Sequence, residues 1–319
     1  MNIVVTGSIG FDYIMDFPGV FADRIMPEKI HQISLSFLVD SLKKNWGGTG
    51  GNIAYTLGLL QNQPILLASA GNDFIPYEAF LTSHGVNAAY ITQFNDIATG
   101  AYFVITDRSD NQIGAFYTGA MRYAAQLSLK TITEKIDLVI IAANDPIAMK
   151  KYVTECKELR LPYLYDPAFQ IDTFSLSELE EAVMGAHMLI GNDYEIELIL
   201  KKLRLNKEKL LKQVSVVVTT LGSKGALIER KTKKGIEEIT INPAKPTRVI
   251  DPTGAGDAFR AGFLAGLARG FDLQTCGQMG ALAAVYTVEK YGTTTHTFTV
   301  AQFITRFHKN YSSVSKLSL

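Results

Sequence analysis

The sequence predicts an α/β protein: a central, mostly parallel sheet flanked by helices, with a small β-sheet set over it as a lid. Short apolar runs alternate with helical patterns along most of the 319 residues, which is how a parallel sheet covered on both faces reads. Apolar residues make up 47% of the chain and charged residues 19%, enough to fill a sizeable core. The lid is predicted by strand-like segments that lie early in the chain, outside the βα rhythm.

In chain order, Ile3–Thr6, Ile65–Ala68, Leu138–Ala142, Tyr163–Tyr165, Met188–Ile190 and Val214–Thr219 read as buried strands. Helical patterns fall between them at Asn52–Leu60, Pro146–Leu159 and Tyr194–Lys202, with a long pair after Gly254. For the lid, Ile33, Leu35 and Phe37 alternate with Ser34 and Ser36 over Gln32–Val39, giving one apolar and one polar face. Thr99–Thr106 and Gln112–Thr118 read as paired strands around a turn at Asp107–Asn111. Residues 1–319 are thus expected to form one α/β domain, its lid drawn from about 12–46 and 97–120. A small sheet with an apolar face needs a cover, which predicts a homodimer through the lid. Ser312–Leu319 read as a frayed end.

Bulk charge removes several function classes. With 31 basic and 31 acidic residues the net charge is zero, so no footprint for nucleic acid or an anionic membrane is present. Cys156 and Cys276 stand far apart, which excludes a disulfide framework and a cysteine-rich zinc site. The start, Met1–Thr6, lacks the basic flank and apolar length of a signal peptide. No run reaches the ~20 apolar residues of a bilayer span, and the expected location is the cytoplasm.

The chemistry is concentrated in Asp251-Pro-Thr-Gly-Ala-Gly-Asp257, followed at once by the helical stretch from Ala258. Gly254, Ala255 and Gly256 let backbone pass close to an anion at the positive end of the helix. Asp257, in the first turn, can take a proton from a hydroxyl while the amides hold developing negative charge. That pairing suits phosphorylation of an alcohol. Upstream, Trp46-Gly-Gly-Thr-Gly-Gly-Asn52 precedes a helix, so Gly48 permits close ligand approach and Asn52 can cap the helix or bond a hydroxyl. Asp12 lies just beyond the first strand, where a carboxylate can grip vicinal hydroxyls such as those of a ribose.

Three further groups are candidates. Asn192-Asp-Tyr-Glu195 follows a strand and opens a helix; it can order water around Mg²⁺, or simply cap the helix. Thr220-Leu-Gly-Ser-Lys-Gly225 ends a strand, so Thr220, Gly222 and Gly225 can meet nucleotide phosphates or merely turn the chain. Tyr102, Phe116, Met121 and Phe169 are candidate walls around a flat base, although such residues also serve cores. No Walker A loop or protein-kinase signature occurs.

The glycine pair before Asn52, the Asn192-x-x-Glu195 element and the Asp251–Asp257 motif stand in the order that resembles ribokinase-like, PfkB-type carbohydrate and nucleoside kinases. The resemblance spans nearly the whole chain and is nearest to the bacterial adenosine kinases, on segments such as Thr6–Asp12, Ser34–Asp40, Phe116–Met121 and Ala143–Pro146. It implies ATP-dependent phosphorylation of adenosine at the 5′-hydroxyl. Under it, Asp12 grips the ribose with Gly48 and Asn52, Ser8 and Ser36 contact the nucleoside, and Tyr102 and Phe116 pack on adenine. Gln170 is retained from the family's substrate loop, whereas Phe169 and Thr173 depart from it. Gly254, Ala255 and Gly256 form the anion hole and Asp257 acts as base; Asn192 and Glu195 serve Mg²⁺, and Thr220, Gly222 and Gly225 serve ATP. The family pattern adds K⁺ near Asp251, Thr253 and Gly292. Sugar kinases of the ribokinase type carry a Lys within the glycine pair, where this chain has Thr49 and Gly50.

Other readings differ in kind. A kinase for a sugar or another nucleoside shares the machinery and differs in the pocket. A dinucleotide-dependent oxidoreductase, suggested by Val5–Gly10, fails because Tyr13 stands at the third glycine position. A nucleoside-binding regulator on the same fold is disfavoured by the intact Asp257.

Overall fold

The computed structural model describes residues 1–26, 32, 34–311 and 317. Its main sheet is built on β1 (Ile3–Thr6), flanked by β4 (Ile65–Gly71) and β5 (Ile91–Phe94) on one side. On the other side lie β8 (Leu138–Ile141), β9 (Tyr163–Tyr165), β10 (Met188–Asn192) and β11 (Val216–Thr220). All of these pair in parallel; β12 (Ala226–Thr232) and β13 (Gly235–Ile241) close the β11 edge as an antiparallel hairpin.

The reason for the uninterrupted apolar strands is visible in their packing. Along β1, Ile3 and Val5 face one core and Val4 the other. The same split divides Leu138 and Ile140 from Val139 and Ile141 on β8. The first core is closed by α1 (Thr49–Leu59), α2 (Ile75–Ser83), α7 (Ala255–Ala268), α8 (Leu273–Val288) and α9 (Val300–Asn310). The second is closed by α3 (Pro146–Glu158), α4 (Leu176–Gly185), α5 (Asp193–Leu203) and the short α6 (Lys207–Leu210). A strand buried on both faces has no polar position to alternate with. Among the described residues, no helix is long and apolar enough to cross a membrane.

The lid is a second sheet in the order β3 (Ser41–Gly47), β2 (Gly10–Asp16), β6 (Gly100–Thr106), β7 (Gln112–Tyr117). Its β6–β7 hairpin is the one expected. Its other half is not: residues 34–39 form no strand, and Ile33 lies outside the described residues. The periodicity there has another cause. Phe37 packs edge-on against Phe17 and Phe21, each at 5.0 Å, so an aromatic cluster rather than a ladder holds this segment. The ladder partner of β2 comes from Ser41–Gly47 instead. Of the expected frayed end, Leu317 is buried, and the rest of Ser312–Leu319 lies outside the described residues.

The lid root is fixed to the main body. Trp46 stacks on Tyr77 at 5.0 Å, and the Tyr77 hydroxyl donates to the Gly47 carbonyl. The Trp46 carbonyl accepts from both Thr293 and Thr294 hydroxyls.

Candidate active site

From β1 the chain moves to β4 and β5 in one direction along the sheet, and from β8 to β11 in the other. The switch therefore falls between β1 and β8, and in such sheets the ligand cleft opens at the carboxyl ends there. At that point the Ser8 amide donates to Ala143 (3.1 Å), while the Ser8 carbonyl and Oγ accept from Gly50 and Thr49 amides. The loop after β1 is thereby stitched to the start of α1, whose N-cap is Gly48.

One turn into α1, Asn52 Nδ2 donates to Asp257 Oδ2 at 2.8 Å. Its Oδ1 is buried without a hydrogen-bond partner among the described residues, an acceptor left over at the centre of the cleft. Asp257 sits in the first turn of α7, whose N-cap Gly254 takes φ +76°. A Cβ at Gly254 would also lie 2.9 Å from Thr293, so glycine is required on both counts. The Ala255 amide turns to the Pro252 carbonyl at 3.2 Å. The amides of Gly254, Gly256 and Asp257 have no such partner among the described residues. These three N–H groups at a helix start are what an anion can bind.

Burial pushes the Asp257 carboxyl up to about 6; Arg260 and the Asn52 hydrogen bond pull it down, Asp166 and Glu195 up. Asp12 is likewise pushed up to about 6, first by burial, then by Asp257 and Asp251. Asp257 thus adds to the cost of charging Asp12.

Strand register decides what stands beside Asp12. Asn45, Asp12, Tyr102 and Phe116 are direct neighbours across β3, β2, β6 and β7, hence on one face. Tyr102 and Phe116 are exposed, at 37% and 50%, so their rings stand open on the face that carries Asp12.

Two cavities adjoin at Thr220, Gly222 and Gly256. One, of about 360 Å³, is polar and includes Gly254, Asp257, Asn192, Glu195, Asp166 and Arg260. The other, of about 410 Å³, is walled by Pro243, Val249, Ala281, Ala284 and Val288, with Gly225 at its edge. The first suits phosphates and the second a flat apolar base. Asn192 and Glu195 form a reciprocal cap, each accepting from the other's amide at 2.8 Å, and they line the polar cavity as well. Burial, chiefly, raises the Glu195 carboxyl above its ordinary range. No cluster of three acidic, His or Cys groups able to hold a metal occurs among the described residues. Mg²⁺ needs none when it takes one or two protein ligands and completes its shell with water and phosphates, and Glu195 with Asn192 fits that use.

Of the remaining expected residues, Ser36, Met121 and Gln170 line neither cavity. Ser36 is exposed in the irregular segment 34–39. Met121 is buried, at 7% exposure, in a 3₁₀ turn over Gly119–Gln126. Gln170 is buried and donates to the Asn144 carbonyl. Phe169, at 69% exposure, stands at the polar cavity. Asp251 accepts from the Thr253 and Gly292 amides, both at 2.9 Å.

Several site residues escaped sequence reasoning. Asp166 and Arg260 form a buried ion pair, and the one available signal was an Arg inside the otherwise apolar run Ala258–Leu267. The α8 wall of the apolar cavity carries helical spacing indistinguishable from core.

The fold and the sequence recur in known proteins. The nucleoside kinase of Methanocaldococcus jannaschii is 31% identical over 311 residues, 97% of either chain. The nucleoside kinase of Burkholderia thailandensis in complex with inosine superposes with a TM-score of 0.87 at 30% identity, over 98% of this chain and 100% of that one. The adenosine kinase of Sinorhizobium meliloti shares the fold at a TM-score of 0.74 but only 15% identity, over 97% and 98% of the two chains. The family described as pfkB family carbohydrate kinase matches residues 18–299. With its ribokinase-like sheet, its lid and its aspartate-ended helix start, the chain belongs to the PfkB family, whose members are phosphotransferases acting on hydroxyl groups.

Proposed function

We propose that the protein transfers the γ-phosphoryl group of ATP to the 5′-hydroxyl of a purine nucleoside, with adenosine as the reference substrate, giving AMP and ADP. The carrying observation is the row Asp12–Tyr102–Phe116 on one lid face, with a carboxylate for vicinal hydroxyls beside two exposed rings. Beside Asp12 that face offers hydroxyl and aromatic groups; its Lys43, opposite Ile14, lies 3.8 Å from Asp16 and over the Tyr291 ring, engaged there rather than free for the charge of a sugar phosphate. Inosine in the Burkholderia thailandensis relative supports a purine in this position.

In this reading Asp257 accepts the 5′-hydroxyl proton as the new O–P bond forms and the bond to ADP breaks. The unpartnered amides of Gly254, Gly256 and Asp257 hold the charge of the transferring group. Asn52 aims the base. ATP places its base in the apolar cavity and its phosphates in the polar one. Glu195 and Asn192 would hold Mg²⁺ through water, and the ion would supply positive charge against the phosphates. Asp251, Thr253 and Gly292 are the residues for K⁺. The lid face opposite Asp12 exposes Leu42, Phe103, Ile113 and Tyr117, which supports pairing of two copies through the lid.

The test is ADP release with Mg·ATP over adenosine, inosine, guanosine, cytidine, ribose and fructose 6-phosphate. Adenosine or another purine nucleoside should be preferred, and Asp257→Asn should lower kcat by ~10²-fold or more while nucleoside binding persists. Turnover with ribose or fructose 6-phosphate alone would overturn the base-packing assignment of Tyr102 and Phe116.

A further inference from the structure

Arg260 lies one turn beyond Asp257 on α7 and is 6% exposed. Its Nε and Nη2 fork onto the two oxygens of Asp166, itself fully buried; the Nη2 bond is 2.6 Å. Its remaining nitrogen, Nη1, makes no hydrogen bond among the described residues, although the side chain lines the polar cavity. A Cβ built on Gly256 would lie 2.9 Å from this Nη1. The side chain therefore runs back along the helix and brings Nη1 to the anion-binding turn, and Gly256 leaves it room.

Charge makes this placement meaningful. The polar cavity is lined by three carboxylates, Asp166, Glu195 and Asp257, and Arg260 is the one cation among its lining residues. Burial works against the guanidinium charge, but Asp166, then Asp257 and Glu195, more than offset it. A buried ion pair is poor evidence of added stability, since an apolar pair of similar volume often serves the fold as well. A fork onto Asp166 that leaves one nitrogen directed at the phosphate cavity has a use that such a pair lacks.

We propose that Arg260 is a further catalytic residue: its Nη1 donates to the transferring phosphoryl group as a fourth donor of the anion hole, and Asp166 is the residue that positions it. The inference rests on the phosphotransfer reading above. The guanidinium adds fixed positive charge where the phosphoryl oxygens gather negative charge, and no proton or bond of its own changes.

The test uses Arg260→Lys, which keeps a cation for Asp166 but loses the third nitrogen, and the neutral pair Asp166→Asn/Arg260→Gln. Each is compared with wild type for kcat, both KM values, ADP binding, and binding of ADP with aluminium fluoride and nucleoside as a mimic of the phosphoryl in flight. Both variants should lose ~10²-fold or more in kcat, with ADP affinity within about 3-fold and the tight mimic complex lost. Free guanidinium ion should restore part of kcat in the neutral pair. Unchanged kcat, or ADP and mimic weakened equally, overturns the proposal and leaves Arg260 a structural partner of Asp166. Should one variant not fold, the other decides by the same criteria. A wild-type protein without kinase turnover would instead sink the functional reading itself, so the two failures are distinguishable.

Discussion

Asp12 shows what a site residue does to its own fold. Its carboxyl is moved from an ordinary value of 3.8 to about 6, a displacement of roughly 3 kcal/mol at most, at ~1.4 kcal/mol per pKa unit. Because the folded pKa lies above the unfolded one, the folded state binds the extra proton. Stability is therefore greatest at the acid end of this window and falls as pH rises from about 4 to 6. Asp12→Asn should raise Tm at pH 7 by a few degrees while weakening nucleoside binding, read by thermal denaturation and by titration calorimetry. A lower Tm would show that the charge is satisfied rather than tolerated. Asp257 obeys the same sign with the opposite use: as the proposed base it must be ionised, so kcat/KM should fall as pH drops through about 6. These two residues were legible because each stands beside glycines at the end of a strand or the start of a helix. Arg260 was not, because its meaning depends on Asp166, distant in sequence and joined to it only by the fold.

At the scale of elements, the proposed reaction depends on how α7 begins. Gly254 at φ +76° turns the chain so that the amides of Gly256 and Asp257 point outward. Gly254→Ala places an L residue in the left-handed region, at a cost of about 1–2 kcal/mol, and drives its Cβ toward Thr293. We expect a strong loss of kcat, with nucleoside affinity nearly retained; full activity in steady-state assays would remove this turn from the mechanism. The parallel strands were readable because burial on both faces leaves continuous apolar runs. The lid was half readable. Gln112–Tyr117 and Gly100–Thr106 announce a hairpin through the turn between them, whereas β2 begins with a glycine, carries Asp12 in its body and pairs with a strand 25 or more residues on. Alternation near Phe37 reports an aromatic cluster, since period 2 cannot say which partner a side chain meets.

At the scale of the whole molecule, the segment 292–295 joins parts that the sequence keeps far apart. Thr293 and Thr294 hold the lid root at Trp46. Thr293 also stands against Gly254 of the anion-binding turn, and the Gly292 amide donates to Asp251 before that turn. One short loop therefore touches both the lid root and the turn before α7, the two sides to which nucleoside and nucleotide are proposed to bind. The two ligands should then report on one another: ADP should tighten nucleoside binding, and nucleoside should tighten ADP binding by the same factor, as linkage demands. A factor of about 5 or more is expected, measured as four dissociation constants around the cycle. Thr293→Val with Thr294→Val should bring it toward one; independence in wild type would mean that the loop only braces the lid. If the cycle holds, the two threonine hydroxyls work as a latch that sets order of assembly, so that a half-filled enzyme has little tendency to spend ATP on water.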